Sequence, residues 1–214
     1  AKNETCTTDK ILQAMYWALS KGAHVINMSL GVDFVGYRQY LVETKGFPDP
    51  KATSIALAGY RLNVRLFDRL SMLLSVDDRG FAGSFVVAAA GNESLRPDYV
   101  ITTAPPAAGE RFFSVAAVDP SLSVAPFSND DVDIAAPGVG ILSAASGGGL
   151  RYDSGTSMAA PHVAGVAALF ADKMISENAF SANALEAQIR KTAKPLIGTK
   201  RDIGTGLVQW VQPS

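Results

Sequence analysis

Four short apolar runs, separated by longer segments with a helical period, are the feature that most constrains how this chain can fold. The runs are HVINMSLG, FVVAAA, FFSVAAVD and DIAAPGVGILSA. FVVAAA, residues 85–90, is apolar at every position, as expected for a strand that is covered on both faces of a parallel sheet. Strands that alternate with helical segments predict an α/β fold in which helices cover a parallel sheet.

The segments between these runs carry the periodicity of helices. The first helix is predicted to have its N-cap at Thr7 or Thr8 and to end at Gly22. Helical periods predict three further helices, at residues 55–75, 157–174 and 183–192. The DDRG turn at residues 77–80 closes the first of these three. Residues 32–53, which contain FPDP, are predicted to be irregular.

Composition excludes several classes of partner and site. The 214 residues suit one domain, and the net charge of −1 gives no reason to expect a nucleic-acid or anionic-membrane partner. No apolar run is long enough to span a bilayer. Cys6 is the single cysteine, so an intrachain disulfide and a zinc thiolate cluster are both excluded.

The stretch GTSMAAPHVAGVAALF, residues 155–170, places a serine where a helix should begin. A nucleophilic serine is well placed there, because the unpaired N–H groups and the helix dipole favour a developing oxyanion. Ser157 fits this position. The alternative, on local chemistry alone, is that Ser157 is simply the N-cap of a buried helix, since capping serines are common.

GTSMAAPHVAG resembles the active-serine motif of the subtilisin-like serine proteases, the subtilases, over eleven consecutive residues. Three more segments resemble family landmarks in the same order. HVINMSLG resembles the strand that ends in the substrate-binding edge, VVAAAGNES the strand that ends in the oxyanion-hole asparagine, and DIAAPGVGI the Ala-Pro-Gly segment. The resemblance covers about residues 7–175 and implies a three-layer subtilisin-like parallel sheet with helices on both faces.

The resemblance also implies roles for individual residues. Ser157 matches the nucleophile, and its backbone N–H and the side-chain amide of Asn92 would hold the oxyanion, although Gly-Asn is also a common turn pair. Ser29, Leu30 and Gly31 match the edge that pairs with an extended substrate backbone. One wall of the pocket for the residue before the cleaved bond matches Ala89, Ala90 and Gly91. Pro105 or Pro106 would take the place of a cis-proline near that pocket.

The base that should activate Ser157 cannot be assigned within the chain. His162 lies five residues along the same helix, a rotation of about 500°, so its side chain should point away from Ser157. His24 sits at the start of a core strand. The Asp-Thr/Ser-Gly and His-Gly-Thr-His motifs that supply the family's aspartate and histidine do not occur here. The remaining candidate aspartates, Asp33, Asp133 and Asp153, lack the required context.

Residues 1–214 are therefore interpreted as the C-terminal part of a subtilase catalytic domain, with an incomplete sheet whose N-terminal strands are missing. The strand at residues 25–30 would then expose an apolar edge, which invites pairing with another chain. We expect the chain alone to be nearly inactive. It should be stable only with its N-terminal half, or with another chain that covers this edge. Whether it is a nicked product or a truncated version is left open.

The sequence thus favours a serine endopeptidase that acts on polypeptides through an acyl-enzyme. The alternative is a non-catalytic pseudoprotease that binds peptides. A lipase or esterase is disfavoured because the Gly-x-Ser-x-Gly elbow is absent at Ser157. Residues 33–53 are interpreted as an insertion, either beside the substrate groove or simply on the surface.

The resemblance carries two further expectations. It permits structural calcium, although no compact run of oxygen ligands marks a site and no metal ligand is assigned. It also implies a secreted or cell-envelope protein. The preferred substrate side chain and the biological target do not follow from the sequence.

Overall fold

The computed structural model describes residues 7–72 and 83–211. Six helices are present in this part of the chain: α1 (Thr8–Ser20), α2 (Phe34–Glu43), α3 (Asp49–Ser71), α4 (Thr156–Ser176), α5 (Ala182–Thr192) and α6 (Lys200–Ile203). Six strands accompany them: β1 (Val25–Met28), β2 (Phe85–Ala89), β3 (Phe112–Val118), β4 (Ile134–Pro137), β5 (Ile141–Ala144) and β6 (Leu150–Asp153).

The first four strands form one parallel sheet in the order β1-β2-β3-β4. Every residue of β2 and β3 is buried, which agrees with their unbroken apolar sequences. The last two strands, β5 and β6, form a separate antiparallel hairpin. The sheet therefore follows chain order from one edge to the other, and the hairpin lies between it and α4 in sequence.

Helices cover both faces of the sheet. Alternate strand residues point to opposite sides, so each face packs against its own helices. On one face, Val87 and Val115 pack with the helix residues Ala160, Val163, Leu185 and Ile189 of α4 and α5. On the other face, Val86 and Ala88 pack with Met15 of α1 and Phe67 of α3. The predicted α/β fold, with a parallel sheet between two helical layers, is confirmed.

Most of the predicted elements are present with small shifts at their ends. Thr7 is the N-cap of α1, and the helices predicted at residues 157–174 and 183–192 correspond to α4 and α5. The helix predicted at residues 55–75 begins earlier, at Asp49. Its predicted end and the DDRG turn lie outside the described residues.

The prediction of an irregular segment at residues 32–53 is wrong. Asp33 caps α2 by accepting a hydrogen bond from the Gly36 N–H (2.7 Å), and α3 already begins at Asp49. The two helices pack on each other through Leu41, Ala52 and Ala56. This contact between helices is what the local sequence did not reveal. Whether residues 33–53 are an insertion stays a prediction.

The two edges of the sheet differ. The outer side of β4 is covered by residues 204–208: the Ala135 N–H donates to Gly206 O (2.8 Å), and the Val208 N–H donates to Ala135 O (2.9 Å). The outer side of β1 has no partner strand among residues 7–72 and 83–211. β1 is also less buried than β2, with Asn27 exposed.

Candidate active site

Ser157 is the second residue of α4, and the N-cap of that helix is Gly155. The alternative interpretation of Ser157 as the N-cap is therefore wrong. The Gly155 N–H donates to Gly138 O (2.8 Å), which ties the start of α4 to the segment that follows β4. Ser157 is only partly buried. It lies in the first turn of α4, where backbone N–H groups lack partners within the helix and can bind an anion.

Asn92 is held beside this turn by Thr156. Its side-chain carbonyl oxygen accepts hydrogen bonds from the Thr156 N–H (2.8 Å) and from the buried Thr156 hydroxyl (3.0 Å). With Oδ1 fixed, the amide NH₂ group faces away from Thr156. Among the described residues, neither this NH₂ group nor the Ser157 N–H has a hydrogen-bond acceptor. The pair therefore offers two N–H donors at the start of α4.

The backbone around Asn92 is fixed by a second group of hydrogen bonds. The Gly91 N–H donates to the Thr156 hydroxyl (3.1 Å), and Glu93 accepts from the Asn92 N–H (2.9 Å) and from the Asn129 side-chain amide (2.7 Å). A Cβ on Gly91, whose φ is +114°, would lie 2.3 Å from Asn129 Nδ2. Glycine is therefore required at this position, and the turn that carries Asn92 is rigid.

Ser29 and Ser157 are linked by reciprocal hydrogen bonds. The Ser29 hydroxyl donates to Ser157 O (2.8 Å), and the Ser157 hydroxyl donates to Ser29 O at the longer distance of 3.4 Å. Asn27, at the exposed edge of β1, donates through its side-chain amide to the Ser29 hydroxyl (2.9 Å). These contacts join the end of β1 directly to the start of α4.

Both histidines of the chain have contacts of their own, although His162 and Ser157 line the same cavity. The Nδ1 atom of His162 is 2.8 Å from Met158 O on its own helix, and the ring of His24 packs edge-on against Phe180, with 4.7 Å between ring centroids. Among the described residues, neither imidazole makes a hydrogen bond to Ser157. That neither histidine is the base stays a prediction.

The predicted substrate-binding residues fall into two groups that differ in exposure. Ser29, Leu30 and Gly31 follow β1 and are exposed. Ala89, Ala90 and Gly91 are buried, and the Ala90 carbonyl already accepts from the Ala104 N–H (3.2 Å). The peptide bond between Pro105 and Pro106 is cis, at the place where the resemblance implied a cis-proline. The substrate-binding roles themselves stay predictions.

Two pKa shifts occur near the site. The Ser154 N–H and the Arg151 guanidinium lower the pKa of Asp153, at the end of β6. This carboxylate stays ionised two residues before Gly155, at the protein surface. Burial raises the pKa of the Tyr60 phenol, whose hydroxyl donates to Thr103 O (3.2 Å). Neither group contacts Ser157.

No cluster of three or more His, Cys, Asp or Glu side chains is placed to hold a metal ion in the described part of the chain. Asp133, for example, uses one oxygen to bind Arg190 (2.6 Å) and the other to accept from Ser114 (2.8 Å from the hydroxyl). Backbone carbonyls also bind Ca²⁺. The family expectation of structural calcium therefore stays a prediction.

Several residues of this arrangement were not singled out from the sequence. Thr156 lies within the GTSMAAPHVAG motif, but its role in fixing Asn92 depends on a contact across 64 residues. Asn129 is similarly remote from Glu93 along the chain. Asn27 lies within the HVINMSLG run, where a polar residue in an apolar strand was the available signal.

The fold and the site together define an α/β protein in which a serine at a helix N-terminus lies beside an oriented side-chain amide. This is a layout suited to acyl transfer. The Subtilase family model, peptidase S8, matches residues 1–206, and the chain belongs to this family.

Two curated relatives and one solved structure illustrate the similarity. The chain is 37% identical over 175 residues to a thermophilic serine proteinase of Bacillus sp. strain AK1, covering 80% of this chain and 34% of that protein. It is 32% identical over 210 residues to a thermostable alkaline protease of Halalkalibacterium halodurans, covering 97% of this chain and 46% of that protein. The chain thus spans less than half the length of either relative.

The structure of the prenylagaramide maturation protease PagA superposes with a TM-score of 0.66 at 22% identity. The match covers 98% of this chain and 67% of that one. At this identity the likeness shows the fold alone. None of the helices in residues 7–72 and 83–211 is long and apolar enough to cross a membrane.

Proposed function

We propose that this chain carries the nucleophile and the oxyanion hole of a serine endopeptidase. The observation that supports this is the Asn92 amide, oriented by Thr156 beside the free N–H of Ser157. Two N–H donors that converge at a helix N-terminus can stabilise the negative charge that develops on a peptide carbonyl oxygen. The exposed residues 29–31 lie beside Ser157 and would hold an extended polypeptide by main-chain hydrogen bonds.

In the first step, the Ser157 oxygen forms a bond to the carbonyl carbon of the substrate, and the carbonyl oxygen takes the electron pair. The hydroxyl proton must pass to a base and then to the departing amine, which leaves an acyl-enzyme that water hydrolyses. Within the described residues, the Ser157 hydroxyl donates only to Ser29 O, at 3.4 Å. A backbone carbonyl is too weak a base to accept this proton, so the chain alone should be nearly inactive.

The base and its orienting carboxylate are proposed to come from a histidine and an aspartate outside these 214 residues. The unpaired outer side of β1 supports this proposal, because a strand added there would lie next to Ser29 and hence close to Ser157. The partner is the N-terminal half of a subtilase catalytic domain, or another chain that covers the same edge. The substrate is a polypeptide.

A peptide-binding pseudoprotease is the second candidate. It is favoured by the observation that neither histidine of the chain makes a hydrogen bond to Ser157, since His162 bonds to Met158 O and His24 packs on Phe180. Such a protein would keep the edge at residues 29–31 and lose the chemistry. The two candidates differ in one respect only, which is whether a base is supplied from elsewhere.

Labelling with a fluorophosphonate separates these candidates. We expect rapid labelling when the chain is combined with the histidine- and aspartate-bearing polypeptide, complete loss of labelling in Ser157→Ala, and slow labelling of the chain alone. Ser176→Ala, at the other end of α4, is the matched control and should label normally. Rapid labelling of the chain alone would show that a base within it had been overlooked. No labelling of the combined polypeptides would favour the pseudoprotease.

The protein is also proposed to act outside the cytoplasm, in the medium or the cell envelope, because the family resemblance implies secretion. Fractionation of the producing cells tests this. Recovery of the protein only in the cytoplasmic fraction would contradict it.

A further inference from the structure

Asn129, in the segment between β3 and β4, is completely buried against the turn that carries Asn92. Its side-chain oxygen accepts hydrogen bonds from the Glu93 N–H (3.2 Å), the Ser94 N–H (3.1 Å) and the Ser94 hydroxyl (3.0 Å). Its side-chain NH₂ group donates to the Glu93 carboxylate (2.7 Å) and to Ala90 O (3.3 Å). One side chain therefore uses both its acceptor and its donor atoms on a single turn.

The backbone of Asn129 adds a further contact, since its N–H donates to Gly91 O (3.2 Å). Within residues 90–94, all of which the structure describes, Asn129 is thus hydrogen-bonded to every residue except Asn92. The Asn92 N–H instead donates to Glu93 (2.9 Å), through the same carboxylate oxygen that accepts from the Asn129 amide. Asn92 is therefore the one residue of the turn that Asn129 holds only indirectly, and its side chain is directed to the start of α4.

The segment that carries Asn129 is itself fixed on its other side. The Asp130 N–H donates to Ile101 O (3.0 Å), and Asp130 O accepts from the N–H (3.0 Å) and the hydroxyl (2.6 Å) of Thr103. Arg201 of α6 donates to both oxygens of the Asp130 carboxylate (2.9 and 3.1 Å). Asn129 cannot follow a displaced turn without breaking these bonds, so the turn takes its position from Asn129.

The position of the turn matters for the reaction more than for substrate binding. Thr156 fixes the side-chain oxygen of Asn92, but the backbone of Asn92 is placed through Glu93. A donor that stabilises an oxyanion acts only once the negative charge develops, so its displacement should lower kcat and leave KM nearly unchanged. A displacement of about 1 Å can cost about 10²-fold in rate.

We propose that Asn129 is a positioning residue of the oxyanion hole, which acts through Glu93 and residues 90–94 to place the Asn92 amide beside Ser157. This inference rests on the proposed function, because it requires that the Asn92 amide stabilises the oxyanion. Asn129 is completely buried, so its effect on the reaction passes through the turn and involves no contact with the substrate.

Asn129→Asp in the complete protease tests this assignment. The substitution keeps an oxygen for the Glu93 and Ser94 donors, but it places a second oxygen where the NH₂ group faced the Glu93 carboxylate. At alkaline pH, where both carboxylates are ionised, they repel each other, so the Asn92 N–H should lose its acceptor. We expect kcat for an uncharged peptide to fall about 10–10²-fold and KM to change by less than about twofold.

Glu93→Gln separates positioning from a general loss of stability. Alone, glutamine keeps an oxygen that can accept from both donors, so kcat should change little. Combined with Asn129→Asp, it removes the repulsion and offers an amide donor to the new carboxylate, so most of the lost kcat should return. Two substitutions with independent effects would give no such return.

Ser114→Ala is the control for stability, because it also removes a buried hydrogen bond between β3 and β4. The Ser114 hydroxyl donates to Asp133 (2.8 Å) near the start of β3, away from the turn. This variant should have a lower Tm and an unchanged kcat. If Asn129→Asp does not fold, Asn129→Ser takes its place, since serine is too short to reach Glu93 and should give a smaller loss of kcat in the same direction.

Two results would overturn the role of Asn129. One is a folded Asn129→Asp, or Asn129→Ser in its place, that loses stability as Ser114→Ala does and keeps the wild-type kcat. The other is a loss of kcat in Asn129→Asp that Glu93→Gln does not reverse.

The two proposals fail in different ways. If Asn92→Asp lowers kcat and Asn129→Asp does not, the oxyanion hole stands and the role of Asn129 fails. If neither substitution lowers kcat but Ser157→Ala abolishes hydrolysis, the serine peptidase stands, and Asn92 and Asn129 both lose their assigned roles. Unchanged hydrolysis by Ser157→Ala would remove the proposed function itself.

Discussion

The two edges of the parallel sheet differ in whether another backbone segment covers the edge strand. At β4, the chain covers its own edge with residues 204–208, and the Thr205 N–H also reaches Asp133 O (2.9 Å). At β1, the described residues provide no such cover. A strand edge without a partner presents free N–H and C=O groups that attract another chain. The contrast is that a local segment covers β4, whereas β1 has no partner strand in residues 7–72 and 83–211.

The open edge is also the one next to the candidate active site. Ser29 follows β1 directly and bonds to Ser157, whereas the closed edge is covered by the segment that follows α6. Changes near the open edge should therefore affect activity more than stability. Changes at the closed edge should affect stability more than activity.

The largest expected effect is at Asn92, which follows β2, the strand that pairs with the open-edge strand β1. Asn92→Asp replaces the NH₂ donor with an oxygen but keeps an acceptor for Thr156, so stability should change by less than about 0.5 kcal/mol. In the complete protease, kcat should fall by at least about 10²–10³-fold, the range for one oxyanion-hole donor, a figure that comes from subtilisin itself. Peptide hydrolysis and thermal melting measure the two quantities.

Asn178→Asp, just beyond the far end of α4, makes the same chemical change away from the site and should leave kcat unaltered. An unchanged kcat in Asn92→Asp would remove Asn92 from the proposed oxyanion hole.

The next largest effect is on the closed side, at Gly206. Its φ is +122°, and a Cβ there would lie 2.3 Å from Lys194 O. Gly206→Ala should lower the free energy of unfolding by about 2–4 kcal/mol through backbone strain and steric overlap, measured by urea denaturation. Hydrolysis per folded molecule should be unchanged.

Gly59→Ala serves as the control for Gly206→Ala. Gly59 lies inside α3, and an alanine Cβ at this position would have no neighbouring atom within 4 Å. The substitution should therefore stabilise the protein by about 0.5–1 kcal/mol, because alanine has the higher helix propensity. If Gly206→Ala were as stable as the parent protein, the segment that covers β4 would not contribute to stability as predicted.

The smallest expected effect concerns the exchange of backbone amides. In the chain alone, amides of β1 should exchange at least about tenfold faster than those of β4, because edges without cover open more readily. Addition of the polypeptide that completes the catalytic domain should protect β1 and leave β4 unchanged. Hydrogen-exchange mass spectrometry measures both. Equal protection of the two strands in the chain alone would contradict the comparison of the edges.

The sequence predicted the sheet because each strand is recognisable from its own local run of apolar residues. FVVAAA is apolar at every position, as expected for a strand covered on both faces, and every residue of β2 is buried. The sequence did not predict α2, because FPDP indicated a loop and Gly36 weakens the helical pattern. Its stability comes from Leu41 packing on α3, a contact with later residues.

The candidate site, like the fold, was predicted only in part from the sequence. Ser157 and Asn92 were assigned because the motifs around them resemble a known family. Thr156, which orients Asn92, could not be assigned a role because the contact between them depends on the folded chain.

The paired hydrogen bonds between Ser29 and Ser157 place the open edge of the sheet and the first turn of α4 in direct contact. Under the proposed function, a polypeptide that paired with β1 would lie next to the linkage that holds the proposed nucleophile. Completion of the sheet and positioning of the Ser157 hydroxyl would then depend on the same few atoms.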